Sequence, residues 1–316
     1  MGAHVVDELV QSGGAVRVLE LTGVDASHLP GGVEVVRGDV ASADDVARAV
    51  TGCDAVVHLA ANAQLWSPDA SVYERVNHQG ARNVLAAARA AGVERFVHVS
   101  SEAVLAGPRG AGEIDESAER SIEAMAGPYS RSKWRADRAV AEAASQGFAA
   151  IIVTPTVPVG PGDRRRTPPT RLIEAFLNGK VPASLHADLP LVDVRDAAKG
   201  IVAALDRGEP GKRYLVAGEN WTTTRLFEAL AETTGRKPPR WRAPYPVALL
   251  AGYAEQAACR VRGGQPLGTV EGVRLARRSL RFDDAWSRRQ LDLHPRPVMD
   301  ALRDAVAWLR DNRNAG

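Results

Sequence analysis

The 316-residue sequence lacks several features that would place it in a specialised class of protein. It has only two cysteines, Cys53 and Cys259, with no CxxC pair and no histidines at metal-ligand spacing, so we expect neither a disulfide framework nor a metal site. The amino terminus has no basic segment followed by an apolar one, which argues against a secretory signal and predicts a cytoplasmic protein. The longest apolar stretch, near Val247–Cys259, is interrupted by Glu255 and is too short to span a bilayer.

The sequence also lacks an excess of charge of either sign. Lys and Arg total 40 and Asp and Glu total 38, which leaves a formal net charge of +2. Without a long-range field we expect no nucleic acid and no membrane insertion, so a small-molecule substrate is the remaining partner. Arg164, in the local cluster Arg164–Arg166, can bind a substrate phosphate or carboxylate. A solvated loop is the simpler interpretation of this cluster.

The first 220 residues alternate short apolar runs with Ala-rich helical patterns. The predicted helices of this region are Ala43–Val50, Tyr73–Ala91 and Ser130–Ala144. The predicted strands have nearly continuous apolar content, as strands covered on both faces do. They are Val16–Leu21, Val33–Arg37, Ala55–Leu59, Arg95–Ser100, Ala149–Val153 and Arg213–Val216. This alternation predicts an α/β fold with a parallel, doubly wound sheet.

The pattern changes after Pro155, where proline and glycine become frequent in residues 154–170. From residue 219 onward the pattern is mostly helical, and the predicted helices are Thr223–Thr234, Pro246–Arg262 and Pro297–Asn312. The aromatic residues of this part can line an apolar substrate pocket or fill a helical core, and we expect them to fill the core. They are Trp221, Trp241, Tyr245 and Tyr253. The sequence therefore predicts a main domain over residues 1–160 and 187–218, and a smaller, mostly helical region over residues 161–186 and 219–316.

One pair of residues has the spacing of an acid/base device. Tyr129 and Lys133 lie one helical turn apart, on the same face of a predicted helix. A lysine beside a phenol stabilises the phenolate and lowers its pKa, so the phenol can exchange a proton with a substrate oxygen. A YxxxK pair alone is a weak signal. Here it follows Ser101, which ends a predicted strand and can bond the same oxygen, although that serine can also simply cap the next turn.

The half of the pattern that would bind a dinucleotide is incomplete. Such a domain opens with a strand and a glycine-rich turn that delivers a pyrophosphate to a helix N-terminus. In this chain residues 1–9 show the helix alone, starting at Gly2. The next predicted strand ends in Glu20, a carboxylate that can accept ribose hydroxyls and repel a 2′-phosphate, which favours NAD over NADP. A solvated glutamate at a strand end is equally compatible with this spacing.

These residues resemble the extended short-chain dehydrogenase/reductase superfamily over essentially the whole chain. Gly38-Asp39-Val40 resembles its adenine-contacting motif, and Asn77–Ala81 its NxxGT segment, with Ala81 in place of the threonine. The resemblance implies a Rossmann-type sheet with a substrate-binding cap, NAD as cofactor, and Ser101, Tyr129 and Lys133 as the catalytic residues. The cofactor-binding residues that it implies are Gly2, Glu20, Asp39, Val40, Leu59, Ala60, Ala61, Asn77, Tyr129, Lys133, Pro155 and Val157.

Within that superfamily the chain is most similar to hopanoid-associated sugar epimerases, which neighbour the dihydroflavonol-reductase-like group. Three stretches carry this narrower likeness: residues 158–163 (PVGPGD), 176–180 (FLNGK) and 272–277 (GVRLAR). Two positions depart from the pattern. Asp193 stands where histidine is usual, and Glu102 competes with Ser101 for the place that faces the substrate.

The incomplete start bears on function. The strand that is missing belongs in the middle of the sheet, and each buried backbone group left without a partner costs about 1–3 kcal/mol. We therefore expect the natural chain to begin upstream of Met1. The alternative is a genuinely shortened protein that has lost nucleotide binding.

Three functions follow as expectations. The first is an NAD-dependent oxidoreductase or epimerase that acts at a secondary alcohol or ketone, for example of a sugar nucleotide. The second is a ketoreductase for an apolar flavonol-, steroid- or acyl-like substrate. The third is a cofactor-free or non-catalytic protein on the same fold. In similar proteins the helices that correspond to Tyr73–Ala91 and Ser130–Ala144 form a dimer seam, so we also expect a homodimer.

Overall fold

The computed structural model describes residues 1–312, which form eleven α-helices and eleven strands. The helices are α1 Gly2–Gln11, α2 Ala43–Val50, α3 Gly80–Ala90, α4 Pro128–Ser145, α5 Pro168–Leu177, α6 Val194–Arg207, α7 Thr223–Thr234, α8 Tyr245–Arg262, α9 Val270–Leu275, α10 Ala285–Leu291 and α11 Val298–Asp311. The strands are β1 Arg17–Glu20, β2 Glu34–Arg37, β3 Ala55–His58, β4 Arg95–Val99, β5 Ala150–Pro155, β6 Val157–Val159, β7 Ala183–Ser184, β8 Asp188–Asp193, β9 Arg213–Val216, β10 Glu219–Thr222 and β11 Trp241–Arg242.

The main sheet has the order β3-β4-β5-β9 and is parallel throughout. Every residue of β5 is buried, because α3 and α4 cover one face of the sheet and α1 and α6 cover the other. Side chains such as Phe96 and Ile152 pack on the first face, whereas Val97 and Ile151 pack on the second. The predicted doubly wound α/β fold is therefore confirmed.

β1 and β2 form a separate two-stranded parallel sheet. Within residues 1–312, β1 pairs only with β2 and β3 pairs only with β4, so no described strand joins the two sheets. Helix packing connects them instead, since α2 contacts both β1 and α3. Leu19 of β1 and Val56 of β3 pack against the same apolar cluster.

A second, mixed sheet, β10-β8-β6, packs with helices α5, α7 and α11. Its strands β6 and β8 come from the predicted main domain, and β10 comes from the predicted second region. The apolar stripe of α11 faces this core, and Val298 and Leu302 are completely buried there. Trp241 is 77% exposed and Tyr253 is 49% exposed, so the expectation that they fill a helical core was wrong. No helix within residues 1–312 is long and apolar enough to cross a membrane.

The predicted helix Tyr73–Ala91 is interrupted. Residues Tyr73–Gln79 form a π-helix, and α3 begins only at Gly80. The wider π turn directs the buried side chain of Asn77 toward Asn62 and Ser132, with which it forms hydrogen bonds. The apolar periodicity that predicts a helix does not distinguish these two helix types.

Asp193, the residue that replaces the usual histidine, has a structural role in this fold. Its buried carboxylate caps α6 by accepting the Arg195 N–H at 2.8 Å, and it pairs with the Arg195 guanidinium at 2.6 Å. Arg296 approaches the same carboxylate at 3.8 Å, which connects α6 to the segment before α11.

Replacing Asp193 by Ala is therefore expected to lower the free energy of unfolding by about 3 kcal/mol, because the helix loses its cap and two arginines lose a buried partner. Asp206→Ala, at an exposed aspartate of α6 that forms no ion pair within residues 1–312, is the matched control and should change stability little. Urea denaturation of both variants makes the comparison. Equal midpoints for Asp193→Ala and the unmodified protein would contradict this role.

Candidate active site

Ser101 and Tyr129 lie together at the carboxyl edge of the main sheet. Ser101 follows β4 and Tyr129 is the second residue of α4, and both are buried. The Ser101 hydroxyl donates to Glu102 Oε2 at 2.9 Å and accepts the Ala103 N–H at 3.3 Å. It therefore caps the short 3₁₀ turn Glu102–Val104, as the simpler interpretation predicts, while remaining beside the phenol.

The electrostatics of Tyr129 differ from the sequence-based expectation. Burial raises the pKa of Tyr129 well above its usual value, and the negative charge of Glu102 adds to this increase. The Ser101 hydroxyl opposes it only in part. Burial also raises the pKa of Glu102 itself. The phenol therefore stays protonated at neutral pH.

Lys133 is held by the backbone in this structure. Its ammonium donates to the carbonyl oxygen of Val99 at 2.6 Å, at the end of β4. Burial lowers the pKa of Lys133 to about 8, against the opposing charge of Asp137. The effect of Lys133 on the phenol therefore stays a prediction, while burial dominates the pKa of Tyr129.

A buried polar cluster surrounds the base of Lys133. Asp137 accepts hydrogen bonds from Ser100 Oγ at 2.7 Å and from Arg213 at 2.9 Å. Burial would raise the pKa of Asp137, but Arg213, His98 and Lys133 together hold it well below its usual value. The cluster thus keeps a fixed negative charge one helical turn from the lysine.

His58 and His98 belong to the core beside this cluster. Their rings stack at 5.4 Å, and burial lowers the pKa of His98 to about 4, so it is neutral at neutral pH. Both histidines therefore have structural positions, as the strand pattern predicts.

Glu271 of α9 is a site residue that the sequence analysis missed. Helix α4 begins after Gly127, which has no side chain to cap it. The buried Glu271 carboxylate takes that place and accepts the N–H groups of Tyr129 at 3.0 Å and Ser130 at 2.8 Å. A side chain at position 127 would overlap Glu271. A glycine before Pro128 cannot cap the helix with a side chain, so the sequence indicates that another residue caps it. The sequence does not indicate which residue.

Asn77 connects α4 to the loop after β3. Its side chain accepts the Asn62 N–H at 2.7 Å and donates to Ser132 Oγ at 3.0 Å, which ties the loop after β3 to α4. These bonds occupy the amide group, so its direct contact with a cofactor stays a prediction.

The other residues expected to hold the cofactor lie where open α/β sheets bind ligands. Glu20 ends β1, Leu59, Ala60 and Ala61 follow β3, and Pro155 and Val157 flank the junction of β5 and β6. Asp39 and Val40 follow β2, and Gly2 is the first residue of α1. Thr156, between Pro155 and Val157, has a buried hydroxyl without a hydrogen-bond partner in residues 1–312.

This arrangement fits a dinucleotide at its nicotinamide and adenosine ends. Between those ends lies the diphosphate of the dinucleotide. Within residues 1–312, the group placed to bind it is the N-terminus of α1, which begins directly after Met1. The Glu20 carboxylate pairs with Arg165 at 3.1 Å, so a ribose would share it with that arginine. Arg164, which we predicted to bind the substrate, is exposed. Its positive charge helps to lower the pKa of Asp25.

Comparisons with known proteins agree with this geometry. The chain is 33% identical to a protein from Synechocystis sp. that is provisionally named dihydroflavonol 4-reductase, over 99% of this chain and 92% of that protein. It is also 33% identical to sterol demethylase protein B of Methylococcus capsulatus, over 98% of this chain and 95% of that protein. The crystal structure of gox2253 superposes with a TM-score of 0.85 at 33% identity, covering 98% of this chain and 95% of that chain.

The sequence profile of the NAD dependent epimerase/dehydratase family matches residues 1–217, which include Ser101, Tyr129 and Lys133. With this match and relatives of 33% identity over nearly the whole chain, the protein belongs to the NAD-dependent epimerase/dehydratase family, within the extended short-chain dehydrogenase/reductases.

Proposed function

We propose that this enzyme oxidises or reduces a secondary alcohol or ketone in an apolar substrate of the fused-ring or acyl type, with Tyr129 as the acid/base. The observation that carries the proposal is the apolar surrounding of Tyr129. The phenol belongs to a cluster with Val104, Leu105, Leu275 and Phe282, against which Leu65 also packs. Such walls favour a substrate with little polar surface near the reacting carbon.

The chain's own residues supply the proton chemistry. NAD, when bound, exchanges a hydride with the substrate carbon. Tyr129, which is protonated at neutral pH, donates its proton to the ketone oxygen in reduction and takes it back in oxidation. The Ser101 hydroxyl turns from Glu102 to the same oxygen and orients it. Lys133 places a positive charge near the site, where it favours the phenolate that is left after proton donation.

The names of the relatives support an apolar substrate. A dihydroflavonol is a fused-ring alcohol, and a sterol is a larger one. The expectation of a sugar nucleotide is less well supported, because a diphosphate needs available cations. In the cluster Arg164–Arg166, Arg165 pairs with Glu20 and Arg166 pairs with Glu174 at 3.6 Å, so only Arg164 forms no ion pair within residues 1–312.

Two further expectations remain part of this proposal. Residues 1–160 and 187–218 form the cofactor-binding domain, and residues 161–186 and 219–316 form the substrate-binding cap. The faces of Tyr73–Ala91 and Ser130–Ala144 form a homodimer seam.

Tyr129→Phe is expected to lower kcat by about 10²–10⁴-fold while folding is retained, because only the proton donor is removed. Tyr73→Phe is the matched control, since Tyr73 is buried beside Tyr129 with ring centroids 6.3 Å apart. Turnover is followed as NADH absorbance with steroid and flavanonol alcohols, acyl ketones and hexose nucleotides.

Undiminished turnover by Tyr129→Phe would exclude Tyr129 as the acid/base. Turnover of the hexose nucleotides alone would show that the substrate is a sugar nucleotide and not an apolar compound. If no thermal shift accompanies titration with NAD or NADP, the cofactor-free alternative is correct.

The pH dependence tests the electrostatics of the site. Glu102→Gln removes a negative charge that raises the pKa of Tyr129, so that pKa should fall. Oxidation needs the phenolate and accelerates as pH rises through this pKa, whereas reduction needs the phenol and slows. Both transitions should therefore move to lower pH in Glu102→Gln.

Glu228→Gln, at an exposed position on α7, should leave the pH profile unchanged. The measurement is kcat against pH in each direction. A shift to higher pH in Glu102→Gln would show that Glu102 does not act on the phenol through its charge.

A further inference from the structure

Helix α8 has an apolar stripe on its solvent side. Val247, Leu250, Ala254, Ala257 and Val261 are separated by three or four residues, so they lie along one face of the helix. All five are exposed, Leu250 by 72% and Val261 by 91%. We call these five residues the outer face of α8. The opposite side of the helix, which includes Gly252 and Cys259, is buried. A helix whose aliphatic side chains point to water lacks an apolar partner.

The same segment concentrates positive charge. Residues 236–262 contain six cations, namely Arg236, Lys237, Arg240, Arg242, Arg260 and Arg262, and one acid, Glu255. Removing these from the chain totals of 40 and 38 leaves the rest of the protein with an acidic excess of three. All six cations are exposed, and none forms an ion pair within residues 1–312. Glu255 is engaged by the backbone N–H groups of Leu267 and Gly268.

The cations border the apolar residues on several sides. On the helical wheel of α8, Arg260 and Arg262 flank the outer face on its two edges. Before the helix, Arg240 and Arg242 flank Trp241, whose ring is largely exposed. A cavity of about 350 Å³ beside Trp241 is lined by Arg236, Lys237 and Arg240 among others. An aliphatic stripe, an exposed tryptophan and unpaired cations thus follow one another within residues 236–262.

We propose that this surface docks on an anionic lipid bilayer, with α8 lying in the plane of the interface. Aliphatic side chains would enter the acyl boundary, Trp241 would lie at the headgroup level, and the six cations would face lipid phosphates. Charge complementarity selects this occupant. A second copy of the chain would bring the same cations face to face, and nucleic acid would leave the aliphatic centre without a partner.

Two helices connect the docking surface to Tyr129. The buried side of α8 packs on α9, and α9 carries the Glu271 carboxylate that caps α4 at Tyr129. A bilayer on the outer face of α8 would therefore lie on the far side of α8 from α9. Docking itself does not depend on the proposed substrate, because it is a property of this surface alone.

The test is co-flotation of the full-length protein, with NAD present, on phosphatidylcholine vesicles with and without phosphatidylglycerol. Binding is expected only to the anionic vesicles, and high salt should weaken it. Leu250→Glu with Val261→Glu should abolish it, because carboxylates replace the aliphatic contacts. Arg260→Glu with Arg262→Glu should lower the bound fraction at least about tenfold.

The matched control is Arg289→Glu with Arg310→Glu, which makes the same change in net charge at exposed positions outside this surface. It should retain vesicle binding, and all variants should keep the wild-type circular dichroism spectrum and melting temperature, so this test is independent of the role of Tyr129. Failure of the wild-type protein to float with anionic vesicles overturns the proposal. An equal loss of vesicle binding in Arg289→Glu with Arg310→Glu also overturns it. A third contrary outcome is a dimer in analytical ultracentrifugation that Leu250→Glu dissociates, together with no binding to vesicles.

Discussion

The contact between the Glu271 carboxylate and the N-terminus of α4 is the interaction on which the site depends. Tyr129 is only the second residue of that helix, so the direction of its side chain follows from where and how the helix begins. Gly127 and Pro128 define that start but offer no capping group. Glu271, 142 residues after Tyr129 in the sequence, supplies two charge-assisted hydrogen bonds to the free N–H groups. The start of α4, with Tyr129, and α9 are thereby held in one geometry.

Burial sets the resting protonation state of Tyr129. A buried phenol is costly to ionise, and here three carboxylates, Glu102, Glu271 and Asp137, make ionisation more costly still. Raising the pKa keeps the phenol protonated at neutral pH but also makes it a weaker acid. The buried Asp137 keeps a negative charge near Lys133, which partly offsets the burial that favours the neutral amine. Any group that stabilises the phenolate therefore has to work against the burial of Tyr129.

The sequence was informative wherever the signal is local. Apolar runs predicted β1 to β5 and β9 to within about two residues at each end, and the spacing of Tyr129, Lys133 and Ser101 predicted a candidate acid/base group. Long-range partners were beyond such reasoning. No local pattern indicates that Glu271 caps α4, that Lys133 bonds to the Val99 carbonyl, or that a π turn directs Asn77 toward Ser132. Each of these depends on which elements the completed fold brings together.

Net charge illustrates the same limit at the scale of the surface. A total of +2 predicts no field that would attract an anionic surface, and this is correct for the average over the molecule. Beyond a Debye length of about 8 Å, however, the acidic excess elsewhere is screened and does not cancel a local cluster. The six exposed cations near α8 therefore act on a nearby partner as a basic patch. The exposed aliphatic stripe among them favours a partner that is both anionic and apolar, a combination that a lipid interface provides.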